Sequence, residues 1–270
     1  MPLSPGRLGV LGWPVAHSRS PAMMRAAFDA LGLHGWSYQL LPVPPALFEE
    51  TVRALPESGF AGANVTVPHK PAALALADSA GPGAREIGAA NTLSFAADGA
   101  IAAENTDAPG MLAAIGVPLA GRRCLVLGAG GTARAAVWAL RGAGASVAVW
   151  NRTAARATEL AAEFDIEAVA RPGPAEVLVN TTIVGMDEKM SRPDALTSLG
   201  LGTDSIRDCA YVVDFVYRNG PTPLVAAAQE LGVAVVDGRS LLAAQGALSL
   251  ERWAGVSPPR RIMEDAIRDM

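Results

Sequence analysis

Cys124-Leu-Val-Leu-Gly-Ala-Gly-Gly-Thr-Ala-Arg-Ala135 is the stretch on which the fold of this chain turns. Leu125–Leu127 reads as a buried strand; Gly128, Gly130 and Gly131 follow at once, and Ala133, Ala136, Val137 and Leu140 then recur at helical spacing. Strand, glycine turn and helix start is the layout that cradles a dinucleotide pyrophosphate. Gly128 makes the tight turn, Gly130 lets backbone approach phosphate, and Ala133 stands where the third glycine can be alanine for close helix–strand packing. Ala129 lies within the turn. Gly131 and Thr132 open a helix whose free N–H groups and positive dipole end face the phosphates.

Working outward, the chain has 270 residues, enough for one large or two modest domains with a substantial core. Half of it is hydrophobic and 18% is charged, which marks a globular protein. A net charge of −4 leaves no electrostatic footprint for nucleic acid or an anionic membrane. The two cysteines, Cys124 and Cys209, form no metal-ligand pattern, so no metal is expected, and they suit a reducing compartment. No apolar run is long enough to span a membrane and no signal-peptide pattern opens the chain, so the expected location is the cytoplasm. No heptad or interface stripe separates monomer from homodimer.

The segments alternate between strand and helix. Strands are expected at Leu8–Leu11, Trp36–Leu41, Gly59–Val65, Ser146–Trp150, Glu176–Asn180, Tyr211–Asp214 and Val233–Val236. Asn91–Phe95 and Ala100–Ala103 flank Asp98-Gly99 as a hairpin. Helices are expected from Pro21 to Leu31, at Pro45–Leu55, Pro71–Ala77, Asp107–Ile115, Ala154–Phe164, Thr222–Leu231 and Ser240–Trp253. A last helix follows the cap signal Ser257-Pro258, while Arg171–Pro174 and Met186–Asp204 read as loops. This alternation predicts an α/β protein with parallel-rich sheets covered by helices, in two domains with a cleft between them, the second of Rossmann type. The break is placed between Thr106 and Asp107.

Polar clusters gather at strand ends in the first half: His17–Pro21, Asn64–Lys70, Ala90–Thr92 and Asn105–Asp107. Ser18 and Ser20, beside a helix start, can both donate to one carboxylate. Asn64, Thr66, Asn91 and Thr106 suit a polyhydroxylated ligand. Besides the histidines, only Lys70 and Asp107 offer proton-transfer chemistry. Each cluster also has a plain structural reading: Ser20-Pro21 as a helix cap, Lys70 as an exposed first-turn lysine, Asp107 as an N-cap, and His17 and His69 as structural or peripheral.

In order and spacing these clusters resemble the shikimate dehydrogenase family, the NADPH-dependent 3-dehydroshikimate reductases of aromatic amino-acid (chorismate) biosynthesis. The resemblance runs through Gly12–Pro21, Asn64–Lys70, Gly88–Leu93, Asn105–Asp107, Gly128–Ala135, Asn151–Thr153, Asn180–Met186, Asp214–Tyr217, Gly238–Gln245 and Trp253–Gly255, nearly the whole chain. It implies that Ser18 and Ser20 hold the substrate carboxylate with Tyr217 near it, that Thr66, Asn91 and Gln245 bind hydroxyl groups, and that Lys70 and Asp107 are the catalytic pair. It implies further that residues 1–106 and 239–270 form the substrate-binding domain and residues 107–238 the NADP-binding domain, with Gly238 at the cofactor.

Cofactor choice is read about 20 positions past the glycine turn, where a NAD enzyme carries an acid for the ribose 2′-hydroxyl. This chain has Asn151, Arg152 and Thr153 there, with Arg156 one helical turn later. An absent carboxylate and two arginines welcome a 2′-phosphate, so NADP(H) is expected. Three places depart from the family pattern: Met24 and Arg25 replace a polar pair, Glu104 precedes Asn105, and Leu241 stands for a methionine. Other readings are a quinate/shikimate dehydrogenase with relaxed choice and a non-catalytic dinucleotide-binding regulator.

Overall fold

Arg7–Gly12 forms strand β1, buried at every position but its first, because helices cover both faces of a parallel sheet. A computed structural model describes residues 6–202 and 204–268. In the first unit β1 lies between β2 (Ser37–Pro42) and β3 (Phe60–Val65), parallel to both. The sheet continues through β5 (Thr92–Phe95) and β6 (Ile101–Glu104) to the short β4 (Ser79–Ala80), giving the order β2-β1-β3-β5-β6-β4. β5 runs antiparallel to β3 and β6, the latter pair being the expected hairpin. One apolar cluster includes Leu11, Val52, Phe60 and Leu93. Another joins Leu8 to Met23, Met24, Ala243 and Leu250. Met24 is fully buried there, so the loss of a polar residue at this position is matched by an apolar surrounding.

The second unit carries β7 (Arg123–Leu127), β8 (Ser146–Trp150), β9 (Glu167–Ala168), β10 (Val177–Asn180), β11 (Tyr211–Asp214) and β12 (Ala234–Val236). All pairs are parallel and the order is β12-β11-β10-β7-β8-β9, the doubly wound arrangement in which the strand order reverses between β7 and β10. Helices Gly131–Gly142 and Ala154–Phe164 provide the crossovers on one side of this switch. The units change over at Gly110/Met111 and Leu241/Leu242, a few residues past the expected breaks, within helices Asp107–Ile115 and Gly238–Ala254.

Short elements depart from expectation. The Met186–Asp204 stretch contains helix Arg192–Ser198, with Pro193 in its first turn and the Ser191 hydroxyl accepting from the Asp194 N–H. Helix Pro82–Ile87 is signalled by no apolar period. The last helix is Arg260–Asp265 with Pro259 at its N-cap; Ser257 Oγ instead donates to Glu251 Oε1 at 2.7 Å. Among the described residues no helix is long and apolar enough to cross a membrane, and no group of three or more His, Cys, Asp or Glu is placed to hold a metal ion.

Candidate active site

The polar residues of the first unit converge at one end of its sheet. Lys70 opens helix Lys70–Ala75 after β3 and is buried, as is Asp107, the first residue of the helix after β6. Lys70 Nζ donates to Asp107 Oδ2 at 2.6 Å. The plain readings of both residues give way to other groups. Lys70 is not an exposed lysine, and the Ala108 N–H is capped by Asn105 Oδ1 at 3.2 Å, which leaves the Asp107 carboxylate to side chains. The chain holds two lysines, Lys70 and Lys189, against twenty arginines. At a position where charge alone mattered, arginine would serve; lysine alone of the two can give up a proton in a protein.

Asn91, immediately before β5, orients the pair. The Thr106 N–H donates to Asn91 Oδ1 at 2.7 Å, and a backbone N–H can only donate, so the amide nitrogen must face the other way. There Nδ2 meets Asp107 Oδ1 at 2.9 Å, Thr106 Oγ1 at 3.0 Å and Gln245 Oε1 at 3.2 Å. Behind them Asn64, Thr92 and Thr106 form a cluster around Ser249, the one member that sequence reading does not find. Ser249 Oγ, fully buried, lies 2.8 Å from Thr92 Oγ1 and 3.0 Å from Thr106 Oγ1, and accepts from Asn64 Nδ2 at 2.9 Å. Tyr38 donates to Asn64 Oδ1 at 2.8 Å and so sets that amide too. The available signal is spacing: Ser249 stands one helical turn after Gln245 on the same face.

Ser20 is the first residue of helix Ser20–Leu31 and Arg19, with no side-chain cap bond, is its N-cap, so Ser20 does not cap the helix. Ser18 Oγ donates to Ser20 Oγ at 3.1 Å, placing the two hydroxyls side by side. Thr66 is half-buried at the end of β3, with its N–H bonded to the Leu11 carbonyl. His69 stacks on Phe48 and holds the Val43 carbonyl at 2.8 Å; burial lowers its pKa, so the ring is a neutral packing element. Glu104 meets Arg252 at 2.9 Å and lies against Gly81, which accounts for an acid at this position.

In the second unit Gly128 has φ +116°, and a Cβ there would lie 2.5 Å from Thr181 Oγ1, so neither strain nor space admits a side chain. Gly130 caps helix Gly131–Gly142 in extended conformation, and a Cβ on it would meet nothing within 4 Å. The protein's own atoms therefore place no demand on that glycine, which suits a site kept clear for a ligand. Ala129 and Gly131 flank it, Thr132 follows in the first turn of the helix, and Ala133 is fully buried. Asn151 donates to the Thr153 carbonyl at 2.9 Å, and Arg152 and Arg156 are exposed, neither forming an ion pair among the described residues. Arg134, by contrast, pairs with Glu163. Gly238 packs directly on the Phe215 and Val216 carbonyls, so close backbone approach accounts for it. Tyr217 is half-buried in the segment after β11. The thiols of Cys124 and Cys209 are pushed up to about 12 and about 11 by burial and are unreactive.

Asp214, at the end of β11, is fully buried and accepts from Asn180 Nδ2 at 2.9 Å, the Val216 N–H at 3.0 Å and Thr222 Oγ1 at 2.6 Å. Burial nonetheless pushes its carboxyl up from 3.8 to about 6, aided by the charge of Asp237. Between these values the folded state binds a proton that the unfolded state has released, so the group's contribution to stability falls as pH rises through that window. The fall is about 3 kcal/mol. Asparagine does not titrate. Asp214→Asn should therefore gain about 3 kcal/mol relative to the native protein between about pH 4 and about pH 7, measured by urea unfolding at both. A difference that does not change with pH would show that burial does not control this carboxyl.

Sequence models of known families match both units. The shikimate dehydrogenase substrate binding domain matches residues 10–93, and shikimate/quinate 5-dehydrogenase matches residues 111–184. The shikimate dehydrogenase (NADP(+)) of one strain of Thermus thermophilus is 44% identical over 97% of this chain and 97% of its own length. That of Methylobacterium radiotolerans is 45% identical over 96% of this chain and 94% of its own. The crystal structure of shikimate 5-dehydrogenase from a second Thermus thermophilus strain, in complex with NADP(H) and shikimate, superposes with a TM-score of 0.86 at 42% identity, covering 97% of this chain and 98% of that one. Likeness of this extent along both units places the chain in the shikimate dehydrogenase family.

Proposed function

We propose that this chain catalyses the reversible NADPH-dependent reduction of 3-dehydroshikimate to shikimate, the step its relatives are named for, in the pathway toward chorismate and the aromatic amino acids. The observation that carries the chemistry is the buried Lys70–Asp107 contact at 2.6 Å, with Asn91 on the second carboxylate oxygen. When bound, NADPH supplies a hydride to the ring ketone. The developing alkoxide then needs a proton. Lys70 Nζ is placed to stabilise that oxygen and donate to it, while Asp107 Oδ2 accepts from the amine and holds it in position. In the reverse direction the same amine accepts the proton from the substrate hydroxyl.

Ser18 and Ser20 are assigned the substrate carboxylate, and Thr66, Asn91 and Gln245 the ring hydroxyls. Assignment of Tyr217 to the carboxylate rests on the family resemblance. In the second unit, Gly128–Ala133 fits a pyrophosphate: the turn is held open at Gly130 and ends on a helix N-terminus. Asn151, Arg152, Thr153 and Arg156 fit the 2′-phosphate, and Gly238 completes the cofactor set by resemblance. Residues 1–110 and 242–270, Asp107 among them, thus serve substrate and residues 111–241 serve NADP(H), in the cytoplasm.

The test is direct. Purified protein with shikimate and NADP should produce the absorbance of a reduced nicotinamide at about 340 nm. Parallel reactions with quinate and with NAD measure strictness. Absence of shikimate turnover with either cofactor would overturn the proposal.

A further inference from the structure

Asp214 sits in the second unit, where the proposed reaction assigns it no part. Its surroundings form a hydrogen-bond chain with a fixed direction. Asn180 Nδ2 donates to Asp214 Oδ1, which turns Asn180 Oδ1 toward the segment that follows β10. That oxygen accepts from the Thr182 N–H at 3.0 Å and from Thr182 Oγ1 at 2.7 Å. With its proton so used, Thr182 Oγ1 accepts from the Val184 N–H at 3.1 Å. A second bond, from the Phe215 N–H to the Asn180 carbonyl at 3.0 Å, ties the ends of β10 and β11 together.

The segment so shaped adjoins the glycine turn. Thr181 Oγ1 and the Thr181 N–H both donate to the Leu127 carbonyl, at 2.7 and 2.9 Å, and Thr181 Oγ1 fills the space where a Gly128 side chain would go. It therefore lies at the β7–β10 reversal of strand order, where doubly wound sheets bind their ligands. Within it Ile183 is 68% exposed, the most exposed large apolar side chain of the described residues. A buried carboxylate is a costly way to hold three segments together, and a neutral group of similar shape often serves stability as well. An acceptor-only group does something a neutral hydroxyl does not: it accepts from Asn180 Nδ2, the Val216 N–H and Thr222 Oγ1 together, in the same sense that the Thr182 and Val225 N–H groups impose on those side chains.

The geometry points to Asp214 as a positioning residue for cofactor binding, acting through Asn180 to set the conformation of residues 181–184 beside the glycine turn. The inference rests on the NADP reading above. Asp214→Ala removes the carboxylate acceptor and leaves the Asn180 amide nitrogen only its longer bond to the Val184 carbonyl at 3.3 Å, so the tie between the end of β11 and residues 181–184 loosens. NADPH affinity, measured by the fluorescence of the bound nucleotide, should fall about tenfold, the loss of about one charge-assisted hydrogen bond. Asp214→Asn keeps an oxygen toward Asn180 and should restore affinity to within about threefold of native, whereas a carboxylate needed only for folding would not sort the two variants by affinity. Asn180→Ala, which breaks the chain of bonds at its next link, should match Asp214→Ala and gives the answer if that variant does not fold. Native-like NADPH affinity in Asn180→Ala, or equal affinity in the Asp214→Ala and Asp214→Asn variants, would overturn the inference. A native protein that does not bind NADPH would overturn the cofactor reading, and this inference with it.

Discussion

Replacing Lys70 with arginine should lower kcat about 10³-fold, close to the effect of Lys70→Ala, because general acid catalysis contributes about 10²- to 10⁴-fold and arginine cannot supply it. The comparison separates two roles that a salt bridge alone leaves merged. A guanidinium keeps the positive charge opposite Asp107, so Lys70→Arg preserves the electrostatic partner of a buried carboxylate. Lys70→Ala does not, and leaving such a group unpaired costs about 3–5 kcal/mol. Stability and activity should therefore diverge: Lys70→Arg melts near the native temperature and is nearly inactive, while Lys70→Ala is inactive and less stable. NADPH binding, assigned to the other unit, reports whether each variant is folded. If Lys70→Arg kept more than a tenth of native kcat, Lys70 would act through charge alone.

Removing both exposed arginines should change cofactor choice. Arg152→Ala with Arg156→Ala should reduce kcat/KM for NADP about 100-fold and leave NAD within about twofold, since each charge-assisted phosphate contact is worth about 1.5–3 kcal/mol before screening by solvent. Neither side chain has an ion-pair partner among the described residues, so neither should be needed for folding. The preference for NADP should also weaken at high salt, because exposed charges are screened over about 8–10 Å at ordinary ionic strength. Steady-state kinetics with both cofactors decide it. An equal loss with NADP and NAD would place these arginines somewhere other than the 2′-phosphate.

The second sheet is legible in the sequence because its signals are local. Ser146–Trp150 and Ala154–Phe164 form at the expected boundaries, as each is long enough for its period to show. Helices Pro82–Ile87 and Arg192–Ser198 are hidden because six or seven residues carry too few apolar positions to mark a face; their proline starts and, for the second, a serine cap define them. Lys70 and Asp107 stand out as chemistry-bearing residues, but nothing local pairs side chains 37 positions apart; only order along the chain, compared with a family, suggests it. Asp214 and Ser249 are illegible for the opposite reason. Each is a lone polar residue in an apolar run, Tyr-Val-Val-Asp and Ala-Leu-Ser-Leu, and its meaning lies in partners that only the tertiary fold supplies.

The helix that carries Ser249 meets its sheet through polar contacts as well as apolar ones. Gln245 reaches Asn91, Ser249 reaches Asn64 and Thr92, Arg252 reaches Glu104, and Trp253 Nε1 donates to the Leu93 carbonyl at 3.0 Å. A greasy ridge can slide along a groove and find another fit, but a row of donors and acceptors cannot. Within residues 245–253 the chain should thus accept point changes of apolar residues more readily than any insertion or deletion. One residue added just after Gln245 turns every downstream side chain by about 100° and breaks the contacts of Ser249, Arg252 and Trp253 together. Length, more than composition, is what evolution or an engineer must leave untouched in this segment.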